Sequence, residues 1–255
     1  MDQALEQWLS KISAQQGRRV AVFDADGTLW RADSGDAFFQ YQRERGLFLN
    51  APAQGDALLK IYEDKVAQGL TREAFGDMAL WNAGAHEHEL AAWARDFWTH
   101  HGRQACPWIE PQMALVERLH RAGVEVWVVS ASLWWVVAEG VKDLGISSDR
   151  VLAARTAPAA GGRGPLTDQW LYPLPYREDK VSVIEQNLGI SPHLVSGNSM
   201  GDWHMMTMAQ DMVVVINTAR PTDPYYATEQ ELHALAHPRA QASDRPRWLI
   251  HKHHR

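Results

Sequence analysis

The chain predicts an α/β fold: a doubly wound parallel sheet interrupted by an inserted all-helical domain. Three observations point there. Short apolar runs of strand type at about 19–24, 124–129, 151–154, 193–196 and 212–216 alternate with helix-type stretches, the pattern that buries a parallel sheet between two helix layers. Between Asp33 and Arg103 the strand runs stop and helical periodicity takes over. Two of the apolar runs end in clustered polar and acidic residues, and open α/β sheets bind ligands at that end of their strands.

The elements follow in order. Leu5, Leu9 and Ile12 recur at helical spacing and predict an amphipathic lead-in helix over 2–16. The first strand, about 19–24, ends at Gly27. In the insert, Ala57-Leu58, Ile61-Tyr62 and Val66 form one helical stripe, and Leu90, Trp93 and Phe97 form another. Thr71 is the predicted N-cap of a further helix. A cap of four helices over 33–103 follows, leaving 1–32 and 104–255 as the core. Pro107 and Pro111 punctuate the return, Gln112 to Arg121 is helical, and Gly123 closes it. A helix over 133–144 is expected to end at Gly145. Five prolines and glycines between Pro158 and Pro165 predict a loop or hairpin flap within 157–175. The basic end from Arg245 is expected to pack through Trp248 to Ile250, with His253 and His254 a disordered tail.

Composition bounds the function. At 255 residues, 45% hydrophobic and 22% charged, the chain can bury a sizeable core and has globular values. A net charge of −6 argues against nucleic acid as a partner, which needs basic surface. The single cysteine, Cys106, excludes an intrachain disulfide and suits a reducing compartment. No secretory signal and no membrane-spanning run is visible. A soluble cytoplasmic protein with no membrane partner is expected; the sequence names no oligomeric state.

Val20 to Trp30 is the most informative stretch. An apolar run ends in Asp24 and Asp26, spaced two apart, with Gly27 following at once. Side chains at i and i+2 share one side of a strand, so both acids can converge where a divalent cation would hold their charges together. An ordinary strand-to-turn junction has the same residue types. Later pieces add to this: Val126 to Ser132 ends in hydroxyls, Lys180 opens an amphipathic stretch to Leu188, and Leu194 to Asp202 reads Leu-Val-Ser-Gly-Asn-Ser-Met-Gly-Asp.

Together, in order and spacing, these four motifs resemble those of the haloacid dehalogenase-like superfamily over about 20–218, with a Rossmann-like core. The position of the helical insert resembles the phosphoserine phosphatase-like branch. The resemblance implies a Mg²⁺-dependent phosphatase acting on a small-molecule phosphate ester through an aspartyl-phosphate. Asp24 is then the nucleophile, and Mg²⁺ takes its carboxylate, the Asp26 carbonyl and Asn198. Asp26 acts as general acid, then base, oriented by Thr28. Ser130 and the Ala131 N–H bind phosphate, with Ser130 opening a helix. Lys180 neutralises nucleophile and phosphate. Asp202 serves as an outer-shell group that holds metal-bound waters or steadies Lys180. Each is also a common structural residue: Ser130 a helix cap, Lys180 a surface lysine, Asp202 a helix N-terminal acid.

Substrate clues come from the insert. Asp33 and Asp36 stand where such enzymes place an acid that meets a substrate amine, as in phosphoserine or phosphoethanolamine, although Asp33-Ser34-Gly35 is also a helix start. Trp30, Trp81, Trp93 and Trp98 could offer aromatic faces to a phosphocholine-like ammonium, with Trp30 the specificity candidate. His86 with His88, and His100 with His101, are not expected to chelate a metal, because near neighbours on a helix do not face each other. His204 is expected on a helix surface. One departure matters: relatives carry an acid where this chain has Asn198, so metal affinity should fall. A dehalogenase or phosphotransferase on the same fold, disfavoured or left open respectively by Asp26, and a catalytically quiet binding protein are the alternatives.

Overall fold

A computed structural model describes residues 3–252 except 160, 161, 163, 224 and 243. The elements run α1 (Gln3–Ser13), β1 (Val20–Phe23), α2 (Ser34–Glu44), α3 (Gly55–Ala67), α4 (Thr71–Leu80), α5 (Glu87–Phe97), α6 (Arg103–Ala105), α7 (Glu110–Arg121), β2 (Glu125–Leu133), α8 (Trp134–Gly140), β3 (Val151–Ala154), β4 (Thr156–Pro158), β5 (Leu166–Trp170), α9 (Asp179–Leu188), β6 (Leu194–Gly197), α10 (Trp203–Met206), β7 (Met212–Asn217), α11 (Tyr226–Gln241) and β8 (Arg247–Lys252). The main sheet has the order β3-β2-β1-β6-β7-β8, and every pairing in it is parallel. β4 and β5 pair antiparallel as a separate hairpin, the flap expected over 157–175.

Alternation along the strands divides the core in two. Ala21, Phe23, Val126, Val128 and Val214 face one layer, with Leu5, Leu9 and Ile12 of α1 and Leu115, Val116 and Leu119 of α7. Val20, Val22, Val129, Val195 and Val213 face the other, against Val183 and Ile184 of α9 and Leu232 of α11. Both faces of β1 are therefore dry, which is why its sequence is an unbroken apolar run. Each fully buried Val or Phe contributes about 1.5–3 kcal/mol of transfer free energy. Strands β2 and β6 flank β1 on either side, so successive crossovers leave it in opposite directions. That makes its carboxyl end a switch point open to a ligand.

The insert splits energetically. Phe39, Phe48, Leu58, Tyr62, Ala74, Met78 and Trp81 form a small core of their own within α2–α4 and their connections. The stripe of α5, Leu90, Ala94 and Phe97, instead joins the main core beside Trp30 and Val136. The insert is held to the rest by an Arg72–Asp179 ion pair. Two backbone bonds to the hairpin add to this, Gly84 N–H to Leu166 O and Leu166 N–H to Ala85 O, both 2.8 Å.

Several local expectations are corrected. Thr71 is the first helical residue of α4 and makes no cap, Leu70 taking that position. The helix expected over 133–144 is shorter: α8 stops at Gly140, where a Cβ would come within 2.5 Å of the Trp98 ring. A tight turn at Lys142–Leu144 and left-handed Gly145 follow. The basic end packs through Trp248 to Ile250 as expected, in the form of an edge strand, β8, paired with β7. α11 was not anticipated; its apolar residues lack helical spacing and Pro238 lies inside it. His253 and His254 lie outside the described residues. No helix among the described residues is long and apolar enough to cross a membrane.

Candidate active site

Asp24 follows β1 directly, its N–H bonded to Ser196 O at 2.9 Å, so strand pairing sets the height of its carboxylate. The residue is 6% exposed. Its Oδ1 accepts from Lys180 Nζ at 2.7 Å, and its Oδ2 accepts from Thr28 Oγ1 at 3.0 Å. Lys180, in the first turn of α9, also donates to Asp202 Oδ1 at 2.7 Å. Asp202 Oδ2 in turn accepts from the N–H groups of Asn198 and Ser199 at 3.0 and 3.1 Å. The turn after β6 is thus built around Asp202, and Gly197 is required there because a Cβ would lie 2.6 Å from the Asp202 Cβ. Motifs far apart in sequence meet in one buried ion-paired chain, Asp24–Lys180–Asp202.

The electrostatics are unbalanced toward negative charge. Burial, and then the Asp202 charge, push Asp24 up to about 7, against the pull of Lys180. Burial disfavours the Lys180 ammonium, yet Asp202 and Asp24 outweigh it and hold its pKa above the ordinary lysine value. Asn198 closes the site: its Oδ1 lies 3.3 Å from Thr28 Oγ1, the hydroxyl that also meets Asp24 Oδ2. Gly27, at φ +74°, turns the chain under this amide, and a Cβ on it would sit 2.1 Å from Asn198 Nδ2. Among the described residues no three His, Cys, Asp or Glu side chains converge as a ligand set. A cation here would take the Asp24 carboxylate plus the Asn198 amide oxygen and backbone carbonyls. That all-oxygen set, with surplus negative charge, suits a hard divalent ion.

Asp26 is held differently from the expectation. Thr28 does not touch it; Thr28 bonds Asp24 and Asn198 instead. Asp26 Oδ1 accepts from Trp30 Nε1 (2.7 Å) and Ser34 N–H (2.6 Å), and its Oδ2 from Ser132 Oγ (2.6 Å) and Ser130 Oγ (3.3 Å). Trp30 is accordingly not a cavity wall but a fully buried support for Asp26. Ser130 does not open a helix either. β2 runs on to Leu133, so Ser130 and Ser132 share one side of the strand and both reach Asp26. Ala131 lines the cavity beside them.

A cavity of about 660 Å³ opens from this point toward the insert. Asp24, Asp26, Asp33, Asp36, Asp202 and Asp223 line it, against Arg177 and Lys180. Tyr62, Phe75, Tyr176 and Tyr225 give it aromatic walls. Asp33 caps α2 through Asp36 N–H at 2.9 Å, and Asp36 accepts from Tyr62 OH at 2.5 Å. Burial raises both carboxyls above the ordinary range; the Asp36 and Asp26 charges add to it at Asp33, and Asp26 adds at Asp36 against the Tyr62 bond. Among the described residues the two non-glycine residues at positive φ are Ala32 and Arg177; both line the cavity, and such strain gathers at functional sites. None of the tryptophans lines it. Trp81 sits in the small core of the insert, Trp98 donates to Val136 O at 2.7 Å, and Trp93 packs on the main core.

A family model for haloacid dehalogenase-like hydrolases matches residues 21–207, well over half of the chain. The chain belongs to that family. No curated protein matches the sequence. A protein of unknown function from Bordetella pertussis Tohama I superimposes with a TM-score of 0.70 at 20% identity, over 92% of this chain and 98% of the other. A conserved functionally unknown protein from Anaerococcus prevotii DSM 20548 does so at 0.68 and 15%, over 97% and 91%. A phosphoserine phosphohydrolase-like protein from Francisella tularensis subsp. tularensis SCHU S4 gives 0.51 and 16%, over 78% and 87%. At these identities the likeness is one of fold.

Within this haloacid dehalogenase-like site, several residues carried no sequence signal of their own. Ser132 ends the apolar run 126–132, and nothing in that run marks its hydroxyl as a partner of Asp26. Glu229, fully buried and accepting from Asn198 Nδ2 at 3.0 Å, lies on the aperiodic α11. The aromatic walls come from α3, α4 and two loops, which no spacing connects. His86 and His88 are closer than expected, with ring centroids 5.4 Å apart, because His86 stands outside α5 as its N-cap. His204 is exposed on α10.

Proposed function

We propose that the chain is a Mg²⁺-dependent phosphomonoesterase that hydrolyses a small phosphate ester through an aspartyl-phosphate on Asp24. The observation that carries this reading is the buried Asp24–Lys180–Asp202 chain at the carboxyl end of β1, with Asp26 two residues on. A carboxylate and a phosphate ester must meet there, and Lys180 offsets only part of their charge. Mg²⁺, when held by Asp24, Asn198 and the Asp26 carbonyl, would supply the remaining positive charge. Asp24 attacks phosphorus while the bond to the ester oxygen breaks, and that oxygen leaves with a proton from Asp26. Water then attacks the same phosphorus and gives a proton to Asp26; the bond to Asp24 breaks, and inorganic phosphate leaves. Both aspartates are restored. The Ser130 and Ser132 hydroxyls hold the Asp26 carboxyl against rotation between the two steps.

The substrate in this reading carries an ammonium group, as phosphoserine, phosphoethanolamine and phosphocholine do. The support is the cavity lining, in which Asp33, Asp36 and Asp223 stand with Tyr62, Phe75 and Tyr225. Acidic groups between aromatic faces bind cations by charge and by the ring quadrupole together. The insert, 33–103, acts as the cap over this cavity, which its Tyr62, Phe75 and Met78 help to line. Turnover of an aryl phosphate by the full chain, with Mg²⁺ and then with excess EDTA, tests the reading. Activity should vanish with EDTA, and Asp24→Asn should lower kcat by roughly 10³-fold or more. Lys180 keeps its bond to Asp202 in that variant, so the fold should survive. EDTA-insensitive turnover, or near wild-type activity in Asp24→Asn, would overturn it.

A further inference from the structure

Glu229 is a buried carboxylate that the steps above do not use. It projects from α11 with 0% exposure. Its Oε2 accepts from the backbone N–H groups of Thr218 and Ala219 at 3.0 and 2.9 Å. Its Oε1 accepts from Asn198 Nδ2 at 3.0 Å. Among the described residues no Lys, Arg or His forms an ion pair with it. A buried anion with no cationic partner is expensive, and three N–H donors offset only part of that.

The hydrogen bonds fix more than Glu229 itself. An ionised carboxylate only accepts, so the Asn198 amide must turn its NH₂ toward Glu229. Its carbonyl oxygen then faces the other way, toward Thr28 Oγ1, where Asp24 Oδ2 also converges. Reversed, the amide would aim two N–H donors at the place where a cation needs an oxygen. We infer that Glu229 is a positioning residue for the divalent-cation site: it holds the Asn198 carbonyl oxygen toward Asp24 and supplies, one hydrogen bond behind that ligand, the negative charge an amide lacks. This rests on the cation site of the proposed function.

The pair has a complementary exchange. In Glu229→Gln, the new amide oxygen serves the Thr218 and Ala219 donors and its NH₂ faces Asn198, which forces the Asn198 amide to reverse. Charge and ligand orientation are lost together. In the double variant Glu229→Gln with Asn198→Asp, the same NH₂ meets a carboxylate that needs no orienting, every donor has an acceptor, and the charge moves onto the ligand. Titration calorimetry of the full chain with Mg²⁺, beside thermal melting without it, separates the outcomes. The Kd of Glu229→Gln should rise roughly 10- to 100-fold, as for other groups that orient metal ligands, and the double variant should return to within about threefold of wild type. Unchanged affinity in Glu229→Gln overturns the inference. So does a folded double variant that stays as weak as the single one, or failure of both variants to fold, which would make Glu229 an anchor for the 217–219 turn alone. A wild-type chain that binds no Mg²⁺ would instead remove the cation site itself.

Discussion

Trp30→Phe isolates what the Asp26 support contributes. The substitution removes one donor, the indole N–H on Asp26 Oδ1 at 2.7 Å, and keeps the Ser34, Ser132 and Ser130 donors. A hydrogen bond to a charged group is worth about 1.5–3 kcal/mol, so Asp26 should swing from its position without leaving the site. The smaller ring also loosens packing against Trp98 and Trp108, whose centroids lie 5.3 and 5.7 Å away. That loss should cost roughly 1–2 kcal/mol of stability, below the 3–5 kcal/mol of full truncation. In catalysis the effect should depend on the leaving group. An alkoxide needs the Asp26 proton, whereas nitrophenolate leaves unaided. In single-turnover measurements well below the melting point, the rate of phospho-enzyme formation from an alkyl phosphate should fall roughly 10- to 150-fold, and that from p-nitrophenyl phosphate by less than about threefold, while hydrolysis of the phospho-enzyme, which uses Asp26 as base whatever the leaving group, should slow alike for both. Equal losses in the first step would refute the reasoning, because they would mean that Trp30 acts through stability or nucleophile placement.

Asp33→Asn and Asp36→Asn should raise KM for amine-bearing phosphates by roughly 10- to 150-fold while sparing a neutral aryl phosphate; Asn remains a good N-cap, so a uniform loss across substrates would contradict an ammonium subsite. Asp24 is held up to about 7, above its ordinary 3.8, so a proton competes with the cation for it. Mg²⁺ affinity measured by calorimetry should therefore weaken as pH falls below about 7, by up to roughly tenfold per unit, and a flat profile from 8 to 5 would deny the shift. By the same linkage, the cation-free protein should carry the stabilisation from protonated Asp24 below about 4 and lose it as pH rises through about 7, which thermal melting across that window can follow. Gly27→Ala places a Cβ at positive φ and within 2.1 Å of the Asn198 amide. It should cost roughly 1–3 kcal/mol of stability and weaken Mg²⁺ binding, whereas unchanged binding would separate Gly27 from the cation site.

What the sequence disclosed follows from where information is local. The strands are short and dry on both faces, so β1, β3, β6 and β7 stand out as apolar runs, and the polar and acidic residues that follow β1 and β6 mark the site. Asp24, Lys180, Asn198 and Asp202 could be placed together by their motifs, and the structure does bring them together. Partners across the fold left no local trace. Nothing near Thr28 indicates that its hydroxyl turns to Asp24 and Asn198 instead of Asp26, nor that an indole beside the insert would hold Asp26. Ser130 looked like a helix start because Ser-Ala-Ser has cap chemistry, but pairing with β3 carries β2 on to Leu133. α11 stayed hidden because an aperiodic helix has no stripe to find, and with it Glu229, which ties the Asn198 amide to the sheet.

The central claim is that phosphate passes through Asp24, and borohydride trapping during turnover tests it most directly. Rapid quenching of enzyme, Mg²⁺ and substrate into borohydride should reduce an acyl-phosphate to the alcohol, and peptide mass spectrometry should find the homoserine mass at position 24 alone. The modification should be absent without substrate and absent in Asp24→Asn. Continued turnover with no reduced residue at 24, or a reduced residue at Asp26 or Asp202 instead, would contradict the account.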